Sequence, residues 1–152
     1  TVCTPRGAKC GVCPLADICA AKREDRVDAL PVKGEKRARR MEARTVFFLE
    51  CDGEVAVCRR PPRGLLASMW QLPNLDGSLD VQSALSAAAD LGVQPIAIER
   101  AIDRVHVFTH IEWQMTCYYL RCAVKAPDFV WATRAELSDR YALPTAFRQF
   151  VE

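Results

Sequence analysis

Four cysteines, Cys3, Cys10, Cys13 and Cys19, stand near the start of the chain with the spacing C-x6-C-x2-C-x5-C. Four thiolates so close in sequence are the donor set of a small inorganic core. The two-residue gap between Cys10 and Cys13 is a tight clip that sets neighbouring sulfurs on one centre. The longer arms to Cys3 and Cys19 let the chain wrap around it. A C-x2-C pair alone is ambiguous, because zinc sites and redox dithiols share it. Four together suit an iron–sulfur core, and disulfides or free thiols are also open to them. One zinc ion held tetrahedrally by the same sulfurs is the alternative.

The other four cysteines, Cys51, Cys58, Cys117 and Cys122, lie in apolar, strand-like stretches without ligand spacing. They read as buried free thiols. Asp52-Gly53 is a two-residue hairpin signal, which would set Cys51 opposite Glu54 and Cys58 opposite Phe47. Cys117 and Cys122 are an odd number apart, so one strand would turn them to opposite faces.

The chain has 152 residues, half of them apolar and about a quarter charged, enough for one real core. It starts at Thr1 and meets the cysteine motif at once, as expected of part of a longer protein. No apolar run approaches the roughly 20 residues that span a bilayer. Net charge is +2 but uneven: residues 1–44 hold 11 Lys/Arg against 6 Asp/Glu, residues 45–152 hold 10 against 13. Lys36-Arg37-Ala38-Arg39-Arg40 is the densest basic run and reads as a solvated linker face. Arg6 and Lys9, inside the Cys3–Cys10 arm, are the better candidates for DNA phosphate contacts, because a folded loop would present them at fixed positions.

Three segments are predicted: a cysteine loop at 1–21, a charged linker at 22–43 broken by Pro31, and a folded domain at 44–152. Arg44–Glu50 and Glu54–Arg60 form the hairpin. Val81–Leu91 is a helix, capped by Ser78 or Asp80 and ended by Gly92, with Leu85, Ala88 and Leu91 on one stripe. Strands follow at 95–107 and 111–124, joined near Thr109, and a short one at Phe129–Ala132. Helices close the chain at Ala135–Arg140 and Thr145–Val151, the second opened by Pro144. Trp70 and Trp113 are predicted core residues. This order predicts an α/β sandwich.

The cysteine spacing resembles the cluster loop of the endonuclease III superfamily of DNA glycosylases, which implies a [4Fe–4S] cluster on Cys3, Cys10, Cys13 and Cys19. The order of elements after it resembles the Nudix fold, a mixed sheet in an α/β/α sandwich. The stretch from Arg59 to Pro73, the segment Val107-Phe108-Thr109-His110 and the closing Tyr141-Ala142-Leu143-Pro144 are similar to the C-terminal domain of MutY-type adenine DNA glycosylases. That resemblance implies base excision repair of adenine paired with 8-oxoguanine or guanine in double-stranded DNA. It implies that residues 44–152 read the damaged base. A monomer, cytoplasmic and nucleoid-associated if bacterial, is the matching expectation.

A Nudix hydrolase would need a carboxylate-rich helix to hold Mg²⁺ against a diphosphate. The family box G-x5-E-x7-R-E-U-x-E-E-x-G-U, anchored on Gly92-Val93, puts its R-E pair on Leu85-Ser86 and its E-E pair on Ala89-Asp90. The earlier Glu falls on Gly77 and the first Gly on Gln71. Only Asp90 is left of four carboxylates, so nucleotide hydrolysis is disfavoured. A DNA-binding module with a purely structural metal is the other alternative.

Guanine offers N7 as an acceptor in the major groove. In 8-oxoguanine N7 carries a hydrogen and C8 an oxygen, so the useful reader both accepts and donates, as a hydroxyl does. MutY-type proteins usually carry Phe-Ser-His at their reading loop. This chain has Phe108-Thr109-His110, which keeps the hydroxyl and adds a methyl group. The resemblance gives Phe108 an anchoring role and lets His110 donate to a phosphate or base edge. It places the carboxylates of excision in a helical domain before the cysteine loop. No carboxylate of this chain matches them, so these 152 residues alone are expected to be inactive. The cluster is expected to be labile or absent in them.

Overall fold

A computed structural model describes residues 2–4, 7–32, 34 and 38–151. The chain divides into two compact units, residues 1–37 and 38–152.

The first unit is built from short pieces. Strands β1 (Cys3–Thr4) and β2 (Gly7–Ala8) pair antiparallel, and Thr4 Oγ1 donates to the Gly7 carbonyl at 2.8 Å. A single 3₁₀ turn spans Cys10–Val12, and the one-turn helix α1 spans Ala20–Arg23. None of the described residues of this unit is buried, and Val12, Leu15 and Ile18 stand exposed. A unit this small without a side-chain core needs another source of cohesion.

The second unit is a seven-stranded mixed sheet. Strands β3 (Arg40–Cys51) and β4 (Glu54–Arg59) form the hairpin, and β5 (Trp70–Gln71) and β6 (Asn74–Asp76) are short. Helix α2 (Val81–Asp90) follows, then β7 (Pro95–Val107), β8 (Ile111–Cys122) and β9 (Val130–Thr133). Helices α3 (Arg134–Asp139) and α4 (Thr145–Arg148) close the chain. The main path runs β5-β4-β3-β8-β7, with β6 also on β3 and β9 on β4. Among the described residues, only β3 and β8 pair in parallel. Lying at the centre and covered on both faces, β3 carries an unbroken apolar run, Val46–Leu49.

The two faces have separate cores. Val46, Phe48, Trp113, Cys117 and Tyr119 pack with Leu137 of α3 and Phe147 of α4. Phe47, Leu49, Tyr118, Leu120 and Cys122 pack with Ala84 and Ala88 of α2. This is the expected α/β/α sandwich, and Cys117 and Cys122 do sit on opposite faces.

Local signals explain the connections. Asp52 (φ 53°) and Gly53 (φ 76°) give the hairpin its primed turn, and Cys51 pairs with Glu54. Cys58 pairs with Gln71 rather than Phe47. The reason is that β6 takes the β3 edge from Arg44 to Val46, and Phe47 donates its N–H to the Pro73 carbonyl. Asp80 caps α2 by accepting from the Ser83 N–H at 2.8 Å. Its buried stripe is Ala84 and Ala88, with Leu85 and Leu91 half-buried.

The segment expected as a linker is shorter than its sequence limits. Lys22, Val27, Leu30 and Pro31 belong to the first unit. At the other end β3 starts at Arg40, because parallel pairing with β8 runs from Arg40↔Ile111 to Glu50↔Arg121. The last helix is a single turn, shorter than the predicted Thr145–Val151.

Candidate functional site

In the first unit, backbone geometry gathers the cysteines. Cys3 lies on β1, Cys10 opens the 3₁₀ turn, Cys13 closes it by donating its N–H to the Cys10 carbonyl, and Cys19 caps α1. All four line one cavity of about 620 Å³. Cys3 is exposed and the other three half-buried, and all four are free thiols. Among the described residues, no group of three or more His, Cys, Asp or Glu side chains is arranged to hold a single metal ion. Four soft sulfur donors on one cavity are of a kind that an iron–sulfur core or a single zinc ion would use. Lys9 lines the same cavity. Arg6 lies outside the described residues.

In the second unit, Phe108, Thr109 and His110 form the turn between β7 and β8. Phe108 N–H donates to the Ile111 carbonyl at 2.8 Å. Neither Thr109 nor His110 takes a positive φ, so a β-branched residue sits there without backbone strain. Both side chains are exposed, whereas Phe108 is half-buried. Its ring stands edge-on between His106, at 4.5 Å and 69°, and Trp113, at 4.9 Å and 74°. Phe108 thus packs the turn against Trp113, which is core as expected.

Trp113 is itself held from several sides. It is fully buried, its Nε1–H donates to Glu42 Oε2 at 2.9 Å, and Phe147 lies 6.0 Å away. The Arg44 guanidinium lies 4.2 Å and that of Arg60 5.4 Å from its ring. The Trp113 hydrogen bond, then Arg40 and Arg44, hold the Glu42 carboxyl below its ordinary range against the opposing effect of burial. Burial, and then repulsion by Arg44, lower the Arg60 pKa.

A polar web continues behind the ring. Arg44 donates to Asn74 Oδ1 at 2.9 Å and pairs with Asp76 at 2.8 Å. Arg60 donates to Gln71 Oε1 at 2.6 Å and to the Leu65 carbonyl at 2.9 Å. Asn74 donates to the same Gln71 oxygen. The sequence reading did not single out these residues. The alternation Arg40-x-Glu42-x-Arg44 was the available signal, since period two places all three on one face of a strand.

The hydrolase positions are bare. Of the four carboxylates sought on and before α2, Asp90 alone is present, exposed in the last turn.

The model of the NUDIX domain family matches residues 45–152. Adenine DNA glycosylase of Schizosaccharomyces pombe is 22% identical over 192 residues, spanning 89% of this chain. The chain spans 41% of the length of that protein. The C-terminal domain of mouse MUTYH, solved in complex with human PCNA, superposes with a TM-score of 0.56 at 21% identity, covering 71% of this chain and 83% of that one. The MutT NUDIX hydrolase of Burkholderia pseudomallei superposes with a TM-score of 0.54 at 20% identity, covering 74% of this chain and 97% of that one.

Proposed function

The chain belongs to the NUDIX domain family, and we propose that here the fold reads a damaged base in DNA instead of hydrolysing a nucleotide. It is the 8-oxoguanine-recognition half of a MutY-type adenine DNA glycosylase. The observation that carries this reading is the loop between β7 and β8. It presents the Thr109 hydroxyl in solvent on a turn anchored through Phe108 to a fully buried tryptophan. A hydroxyl so placed can donate to O8 and accept from N7–H of the lesion. His110, beside it, can donate to a phosphate or base edge. The similarity to the fission-yeast glycosylase across both units supports the assignment. The loss of three box carboxylates argues against the hydrolase alternative.

The cysteine unit belongs to the same reading. Cys3, Cys10, Cys13 and Cys19 would hold a [4Fe–4S] cluster, whose bonds supply cohesion that the unit's side chains do not. Excision of adenine is assigned to the complete glycosylase, and these residues bind without excising. The partner is double-stranded DNA with 8-oxoguanine:A or G:A pairs, bound by a monomer in the cytoplasm or nucleoid. Among the described residues, no helix is long and apolar enough to cross a membrane.

Thr109→Ala tests the reading. In the complete glycosylase, preference for 8-oxoguanine:A over G:A should fall by about 1–2 kcal/mol, the scale of an unpaired polar partner. An unchanged ratio would remove Thr109 from recognition.

A further inference from the structure

The end of the sheet that carries the 108–110 loop also collects arginines. Arg40 N–H donates to the His110 carbonyl at 3.0 Å, so the first residue of β3 is tied to the loop. The Arg40 side chain is 71% exposed and forms a close ion pair with Glu42 through one guanidinium nitrogen. Beyond β3 in the sheet, on the same flank, lies the segment from Arg60 to Met69 that joins β4 to β5. It reaches the same cluster, because Arg60 approaches the Trp113 ring, and Leu65, Leu66 and Phe108 all pack against the core that contains Trp113.

That segment is fixed. Arg60 N–H donates to the Met69 carbonyl, Ser68 N–H to that of Pro61, and Arg60 Nε to that of Leu65. Leu66 (φ 56°) and Ser68 (φ 58°) both take the left-handed region that non-glycine residues avoid. Such strain persists only where the surroundings impose it, and it clusters at ligand clamps. Arg63 is exposed on this rigid backbone.

Charge singles out this end. Arg39, Arg40, Arg44, Arg59, Arg60 and Arg63 stand here against Glu42, Asp76 and Glu112. Yet residues 45–152 as a whole carry 10 basic against 13 acidic side chains. Glu42 and Asp76 are already engaged by Arg40 and Arg44.

We propose that Arg40 and Arg63, at the end of the sheet that carries the 108–110 loop, contact phosphates of the DNA strand whose base Thr109 reads. The inference rests on the DNA-reading function proposed above. Phosphate contacts set register without carrying sequence information.

The test measures binding of this chain to duplexes with 8-oxoguanine:A, G:A or fully paired bases, by fluorescence anisotropy over a series of salt concentrations. Arg40→Gln and Arg63→Gln should each weaken binding to all three duplexes alike. Each should also lower the slope of log affinity against log salt by about one, and the double variant by about two. Arg40→Lys and Arg63→Lys should keep the slope. Unchanged slopes in both Gln variants, with wild-type binding intact, would overturn the inference. A wild-type chain that binds all duplexes equally would overturn lesion reading and leave the slope test standing. A chain that binds none would overturn both.

Discussion

Phe108→Ala is the perturbation that most directly tests whether packing sets the reading loop. Removing a fully buried Phe side chain costs about 3–5 kcal/mol. Phe108 is half-buried, but loses two edge-on ring contacts, to His106 and Trp113. About 2 kcal/mol of stability is therefore at stake, with the ring contacts contributing roughly 0.5–1.5 kcal/mol each beyond buried area. For a domain of this size that lowers Tm by about 6–12 °C. Thr109 would lose its fixed position, and preference for 8-oxoguanine:A over G:A in the complete glycosylase should drop about 5- to 30-fold, the equivalent of 1–2 kcal/mol. Phe108→Leu fills most of the space without aromatic edges and should fall between. Calorimetry and single-turnover excision on the two substrates supply the readouts. If Tm falls as stated while the preference ratio stays at the wild-type value, anchoring by Phe108 does not position the reader. If Tm does not move, the packing itself is misread.

Three further outcomes are expected. Iron and sulfide added under reducing, oxygen-free conditions should protect Cys3, Cys10, Cys13 and Cys19 from alkylation, read by mass spectrometry. Cys117, its thiol pushed by burial up to about 12, and Cys122, pushed up to about 11, should resist alkylation with or without metal. Stoichiometric zinc without iron in the protected protein would favour the tetrahedral alternative. Glu42, depressed below 4.5, adds stability above that ordinary value. That contribution is lost as pH falls through its folded value. Glu42→Gln should flatten this part of the acid-unfolding curve, and an identical curve would show that the carboxylate is not coupled to folding. Residues 45–152, the span of the family match, should melt below residues 38–152, because they lack Glu42 and Arg44 and leave Ile111–Met115 of β8 without the β3 neighbour. Equal melting temperatures would deny the β3 entry any structural part.

Much of this architecture was legible because the signals were local. Asp52-Gly53 specifies its own turn, Asp80 and Gly92 bracket α2, and odd spacing alone separates Cys117 from Cys122. The misread parts depend on partners far along the chain. Residues 74–76 form a strand only because the β3 edge is open to them, and this displaced the expected Cys58–Phe47 pairing. Arg40–Ala43 looked like linker because charge dominates it, and parallel pairing with β8 overrides that composition. Thr109 could be picked out from its hydroxyl and its place in the motif. The web from Glu42 to Gln71 could not, since it joins β3 and β8 to residues 60–76, segments distant in sequence.

The hydrogen bond from Arg40 to His110 has a mechanical consequence. Residues 38–39 lead directly into the first rung between β3 and the reading loop. A pull along that strand meets this rung before it loads the parallel ladder behind it in shear. Tension in residues 38–39 would therefore reach the turn that carries Thr109 through this one hydrogen bond. Hydrogen exchange at the Arg40 amide would record it, fast under tension and slow at rest.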